Sequence, residues 1–150
     1  MIITFFGHSS FKRTEKAEGL LLEYLERKIS AKPVCLWLGG YGGFDDFAYG
    51  CCKKYKEKHP YASLALITPY ITVDYQKNHL NTLKGMYDEI IYPELEEKPL
   101  RYAIYYRNRY MIEKADILIS YITHSYGGAY GAYRYATKLK KEIFNLGNLI

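Results

Sequence analysis

Cysteine is scarce: Cys35, Cys51 and Cys52 are odd in number and form no C-x-x-C pair. That spacing argues against a disulfide framework and against a zinc site, and a reducing cytoplasm is the expected compartment. No apolar run approaches the ~20 residues of a membrane span. The opening Met1-Ile2-Ile3-Thr4-Phe5-Phe6 has no basic region ahead of it, so it reads as a first strand rather than a secretory leader. Neither sign of charge dominates. With 21 Lys and Arg against 16 Asp and Glu, a net charge of +5 is too mild for a dedicated nucleic-acid binder. The clustered lysines (Lys53, Lys54, Lys56, Lys58; Lys138, Lys140, Lys141) fall late in expected helices, where the helix dipole favours them. Neither a membrane nor a stable nucleic-acid complex is expected. Internal repeats, low-complexity tracts and linkers are absent, as are a Walker loop and a serine-hydrolase elbow. The 150 residues read as a single domain, with no cofactor and no metal.

Tyrosine is what the chain has in excess: 18 residues, more than packing alone needs. A buried tyrosine still has a hydroxyl to satisfy, so the excess points to polar-tipped pocket walls or to an interface. A homo-oligomer, most simply a two-fold dimer, is expected.

Short apolar runs alternate with amphipathic segments. Strands are expected at 1–6, 33–38, 63–68, 88–92, 116–122 and 142–146. Most are continuously apolar, as strands covered on both faces are. Helices are expected at 14–29, 44–58, 74–86, 100–114 and 129–141. The first carries Ala17, Leu20, Leu21, Tyr24, Leu25 and Ile29 on one stripe, with Thr14 as N-cap. Such alternation predicts an α/β fold, a three-layer α/β/α sandwich around a mainly parallel sheet. Ligands of such folds bind beyond the carboxyl ends of the strands, where strand order reverses. The segments that matter are then Gly7-His8-Ser9-Ser10, Gly39 to Asp45, Thr68-Pro69-Tyr70 and Thr123 to Gly128.

Four of the five residues in Gly39-Gly40-Tyr41-Gly42-Gly43 are glycine, between a strand and a helix. Such a loop lets backbone approach a ligand closely. Asp45 and Asp46 stand where a phosphate would have to sit, so this junction suits ribose hydroxyls better, with Asp45 as acceptor. Its alternative role is that of a helix cap. The phosphate is expected at Thr123–Ala136, where Ser125, the amides near Gly127 and Gly128, and Arg134 precede any acid. There the alternative is a small-residue helix start packed closely on the sheet. Arg107 and Asn108 fall on or beside an inward stripe marked by Ile104, Met111 and Ala115. A buried guanidinium needs a partner, either Asp116 or an anionic ligand. His8 and His124 both follow strands and can meet in one crevice.

Taken together, "FGHSSF", "LGGYGGFD", "TPY", "YRNRYMIEKADILISY" and "GGAY" before a helix resemble the SLOG superfamily, most of all its short YpsA-like branch, related to LOG proteins and DprA. The resemblance runs in order over nearly the whole chain. It implies a Rossmann-like fold and a nucleotide-derived ligand at the strand ends. The pocket would be lined by Gly7, His8, Ser9, Gly39, Gly40, Gly42, Gly43, Asp45, Pro69, Arg107, Asn108, Ser125, Gly127 and Gly128. LOG enzymes hydrolyse an N-glycosidic bond with a glutamate in PGGxGTxxE. Neither glycine loop here carries a glutamate at that spacing, and Asp45 is the nearest substitute. The expected function is therefore binding of a nucleotide or an ADP-ribose-like, NAD-derived molecule, in sensing or sequestration, including bacterial or phage defence. The alternative is a nucleotide N-glycosidase or deoxyribosyltransferase-like enzyme using Asp45.

Overall fold

The alternating apolar runs and amphipathic segments close around one sheet. The computed structural model describes residues 1–75, 77, 80–83 and 85–150. Six strands, β1 (Ile2–Gly7), β2 (Val34–Leu38), β3 (Ala62–Ile67), β4 (Glu89–Ile91), β5 (Ile117–Tyr121) and β6 (Glu142–Asn145), lie in the order β4-β3-β2-β1-β5-β6. Every pairing is parallel. All carboxyl ends therefore share one edge of the sheet.

Four helices cover the faces: α1 (Glu15–Ile29), α2 (Gly42–Lys58), α3 (Ala103–Lys114) and α4 (Gly128–Lys138). Side chains alternate along each strand, and the two resulting sets belong to different layers. Ile3, Phe5, Leu36, Leu38, Ile117 and Ile119 pack with Leu21, Leu25, Phe44 and Cys51 under α1 and α2. Phe6, Trp37, Ile67 and Leu118 pack with Met111, Ile112, Ala132 and Ala136 under α3 and α4. Burial on both faces is why these strands read as unbroken apolar runs. The fold is the three-layer α/β/α sandwich that the alternation predicts.

Helix α1 starts where its cap places it. The Thr14 hydroxyl accepts the Ala17 N–H at 3.1 Å, and Ser30 in the left-handed region (φ 50°) ends it. Helix α2 begins at Gly42, two residues before the expected start. The segment expected as helix from residue 100 opens with a 3₁₀ turn (Leu100–Tyr102), and α3 begins at Ala103. The expected helix over 74–86 includes residues 76, 78, 79 and 84, which lie outside the described residues; Val73–Tyr75 and Asn81–Leu83 are single helical turns. Among the described residues, no helix is long and apolar enough to cross a membrane.

Strand order reverses beside β1. The chain passes from β1 outward through β2 and β3 to β4, then returns across the sheet to place β5 on the other side of β1. The crevice of such a sheet opens at this switch point, between the ends of β1 and β5.

Candidate functional site

At the switch point, the first residue past β1 is His8, which is buried. Its N–H continues the ladder to the Tyr121 carbonyl at 3.1 Å. Its Nε2 faces the backbone N–H groups of Thr123 and His124, at 3.0 and 3.3 Å. An N–H can only donate, so Nε2 accepts and the ring is neutral with its proton on Nδ1. Burial, with the adjacent His124, lowers the pKa of His8 below the ordinary histidine value. The imidazole thus fastens the loop after β5 to the loop after β1.

Rings stack outward from there. His124 lies on His8 with centroids 3.4 Å apart and planes 12° from parallel. Tyr126 lies on His124 at 3.8 Å and 20°. Ser125, Gly127 and Gly128 are exposed beside this stack, and Gly127 (φ 92°) forms the N-cap of α4. No side chain caps α4, and its first turn holds no acid. His124 Nδ1 and Ser120 Oγ are buried without a hydrogen-bond partner among the described residues.

The second glycine loop is built differently. Asp45, on the first turns of α2, accepts the Tyr41 N–H through Oδ2 at 2.7 Å. It thereby satisfies the N-cap amide that Gly42 and Gly43, with no side-chain atoms, cannot reach. Desolvation pushes its carboxyl up to about 6, against the opposing pull of that hydrogen bond and of Arg107. Gly42 and Ser9 approach closely, since a Cβ on Gly42 would lie 3.5 Å from that of Ser9. The loops after β1 and β2 are therefore neighbours. Gly7 has a packing reason to be glycine: a Cβ would fall 2.3 Å from the Phe44 ring.

Arg107 is buried, and Asp116 is not the partner that holds it. Nη1 donates to the carbonyls of Gly39 (3.0 Å) and Ile67 (2.8 Å), and Nε donates to Asn108 Oδ1 (2.9 Å). Asp116, the expected carboxylate, instead accepts the Ile2 N–H at 2.8 Å. The buried positions of α3 are Ala103, Arg107, Met111 and Ile112, whereas Ile104 is exposed. Arg107 thus ties the ends of β2 and β3 together under the site, and desolvation draws its pKa down while Asp45 and the tyrosines 41, 70 and 75 raise it. Gly39 and Pro69 are buried at these strand ends, and Gly40 (φ 74°) is exposed. Thr68 Oγ1 donates to the Tyr70 carbonyl at 3.0 Å and shapes the turn around Pro69.

Sequence reasoning missed two features. One is Asn145, at the end of β6. Its Oδ1 accepts the N–H groups of Ile122 (2.9 Å) and Gly147 (3.0 Å), and its Nδ2 donates to the Ile122 carbonyl (3.1 Å). Beside it is a cavity of about 320 Å³ lined by Thr123, His124, Ser125, Tyr130 and Asn148. The other is a cleft of about 800 Å³ between α3 and α4, walled by Ile104, Tyr105, Tyr130, Tyr133 and Arg134, with Asn108 and Gly128 also in its lining. The tyrosine excess is the one signal in the sequence that pointed towards it.

No family model matches the chain, and no curated protein matches it. Solved structures do. DNA processing protein A from Helicobacter pylori, described by its single-stranded DNA binding mode, matches at 19% identity and a TM-score of 0.63; the match covers 97% of this chain and 64% of that one. DNA processing protein A from Streptococcus pneumoniae matches at 12% identity and 0.63, over 95% of this chain and 49% of that one. The chain therefore spans about half to two thirds of these neighbours. The molybdenum cofactor carrier protein of Chlamydomonas reinhardtii matches at 16% and 0.57, over 97% and 76%. The expected exclusion of nucleic acid as a partner does not stand, because a fold neighbour over nearly the whole chain binds single-stranded DNA. Net charge averages over the surface and does not report where the cations lie, so it does not carry that exclusion. At these identities the likeness speaks for architecture alone: the fold is Rossmann-like.

Proposed function

We propose that this chain binds a nucleotide-class small molecule, ADP-ribose-like or NAD-derived, across the carboxyl ends of β1, β2, β3 and β5, as a member of the YpsA-like branch. The observation that carries the reading is the contrast between the two glycine-led helix starts. At α2 the N-cap amide is already taken by Asp45, whose charge disfavours a phosphate. At α4 the first turn has neither side-chain cap nor acid, so its amides and positive dipole end remain for an anion. In this reading the phosphate lies against Ser125, Gly127 and Gly128, and the ribose reaches the Gly39–Asp45 loop past Ser9. Arg107 acts from beneath, holding Gly39 and Ile67 in place rather than touching phosphate.

The test is calorimetric titration with AMP, ADP-ribose, NAD and a short single-stranded oligodeoxynucleotide, with chromatography for released base. Micromolar binding of at least one small molecule without base release is expected. Binding of the oligonucleotide alone would overturn the small-molecule reading, and base release at ordinary enzymatic rates would replace binding with glycosidic-bond cleavage. Asp45 stands where it could assist that cleavage, yet its Oδ2 is engaged with Tyr41.

A further inference from the structure

Tyr126 is 70% exposed, yet its ring is held parallel to a neighbour. An exposed tyrosine that serves only solubility has no reason for a fixed plane. Here the plane is inherited. His8 is locked by two backbone N–H groups, His124 stacks on His8, and Tyr126 stacks on His124. The three rings form a ladder from the buried floor of the switch point to solvent. Its outermost member follows Ser125 directly and precedes Gly127 and the open start of α4.

We propose that Tyr126 is the platform on which the aromatic base of the ligand stacks, making it the residue that distinguishes a nucleotide from a bare sugar phosphate. This rests on the nucleotide reading above and names a group it did not assign. A ring ordered in advance loses little freedom when a second aromatic ring settles on it, which is what favours a preorganised contact. Every nucleobase has a π-face, so such a platform tolerates different bases while rejecting ligands that have none. The stack also gives the two histidines that follow β1 and β5 a role in placing a ring. Their flat rings transmit the position of His8 to the mouth of the crevice.

The experiment compares AMP with ribose 5-phosphate on the wild type and on Tyr126→Ala, Tyr126→Phe and Tyr126→Trp, by calorimetry. Stacking contributes about 1–3 kcal/mol per base, so Tyr126→Ala should weaken AMP roughly five- to 150-fold. It should leave ribose 5-phosphate unchanged. The Phe and Trp variants should bind AMP within about twofold of wild type, as the ring is kept. In Tyr126→Trp, indole fluorescence should be quenched by AMP and not by ribose 5-phosphate. Undiminished AMP affinity in Tyr126→Ala would overturn the platform. Equal losses for both ligands would also overturn it, since the ring would then only be shaping the loop. Wild-type protein that binds ribose 5-phosphate as tightly as AMP would overturn the platform while leaving the phosphate site standing. Wild-type protein that binds neither would overturn both readings together.

Discussion

At the scale of single residues, three polar groups carry the site, Arg107, Asp45 and His8, and each is engaged with backbone. Arg107 closes the ends of β2 and β3 through two carbonyls in a buried setting. Charge-assisted hydrogen bonds contribute about 1.5–3 kcal/mol each, and orphaned buried carbonyls add desolvation on top. Arg107→Met should therefore lower stability by about 3 kcal/mol or more, seen as a shifted urea midpoint. A shift under about 1 kcal/mol would mean water replaces the guanidinium there. Sequence gave grounds for an inward arginine but not for its partners, since carbonyl acceptors leave no residue-type signature. Asp45 and His8 make opposite contributions with pH. Asp45 has a folded-state value raised to about 6, so folding favours its protonated form, and its contribution falls as pH rises from about 4 to about 6. His8 has a lowered value, so folding favours its neutral form, and its contribution is fully present above about 6.5 and is lost as pH falls from there through the lowered folded-state value. Asp45→Asn should keep an acceptor for Tyr41 and remove only the first dependence. Urea midpoints at pH 4.5 and 7 should show the variant gaining on wild type at the higher pH. The same difference at both pH values would mean that Asp45 is well solvated.

At the scale of elements, legibility followed local chemistry. Helix α1 announced itself by a capping threonine and a clean apolar stripe, and its start is the one expected. The apolar spacing of α2 begins at Phe44, and the two glycines ahead of it are poor helix formers. Its first turn forms nonetheless, with the carboxylate of Asp45 reaching back to Tyr41 and Phe44 and Phe47 buried behind it. Tertiary packing outweighed propensity there. The inward stripe expected through Ile104, Met111 and Ala115 holds at Met111 and Ala115, whereas Ile104 is exposed and Arg107 takes the buried position, where the carbonyls of Gly39 and Ile67 accept from it. The loop before α2 has its own constraint. Gly40 sits at φ 74°, and a Cβ there would lie 2.9 Å from Leu66 Cδ1. The left-handed conformation alone disfavours a non-glycine residue by about 1–2 kcal/mol. Gly40→Ala should thus reduce stability by at least that much, measurable as a drop in Tm without any ligand. An unchanged Tm would mean that the loop relaxes freely and that its glycines serve something other than the fold.

At the scale of the whole molecule, the layers were legible from the alternation of segments, whereas strand order was not. Nothing in an apolar run says which run it will lie beside, and the return of the chain across the sheet to place β5 next to β1 depends on packing over the full length. For the same reason Gly7, His8 and the residues after β5 could be named as strand-end candidates, but not shown to meet until the fold brought them together. Asn145 escaped notice because a lone asparagine near the end of the chain looks like a turn residue. Its role appears only when β6 lies next to β5, where it bridges Ile122 and Gly147 and so couples the edge of the sheet to the crevice. That coupling can be measured. Asn145→Ala leaves the Ile122 N–H and carbonyl and the Gly147 N–H without their side-chain partner, a loss of about 2–3 kcal/mol. Because β6 is an edge strand joined to the sheet through β5 alone, the damage should stay local. Amide hydrogen exchange should quicken at Ile122, Gly147 and the residues of β6, while β1, β2 and β3 keep the protection set by global unfolding. Exchange that quickens equally in all strands would instead mean that the sheet opens as one cooperative unit, with Asn145 contributing to the stability of the whole.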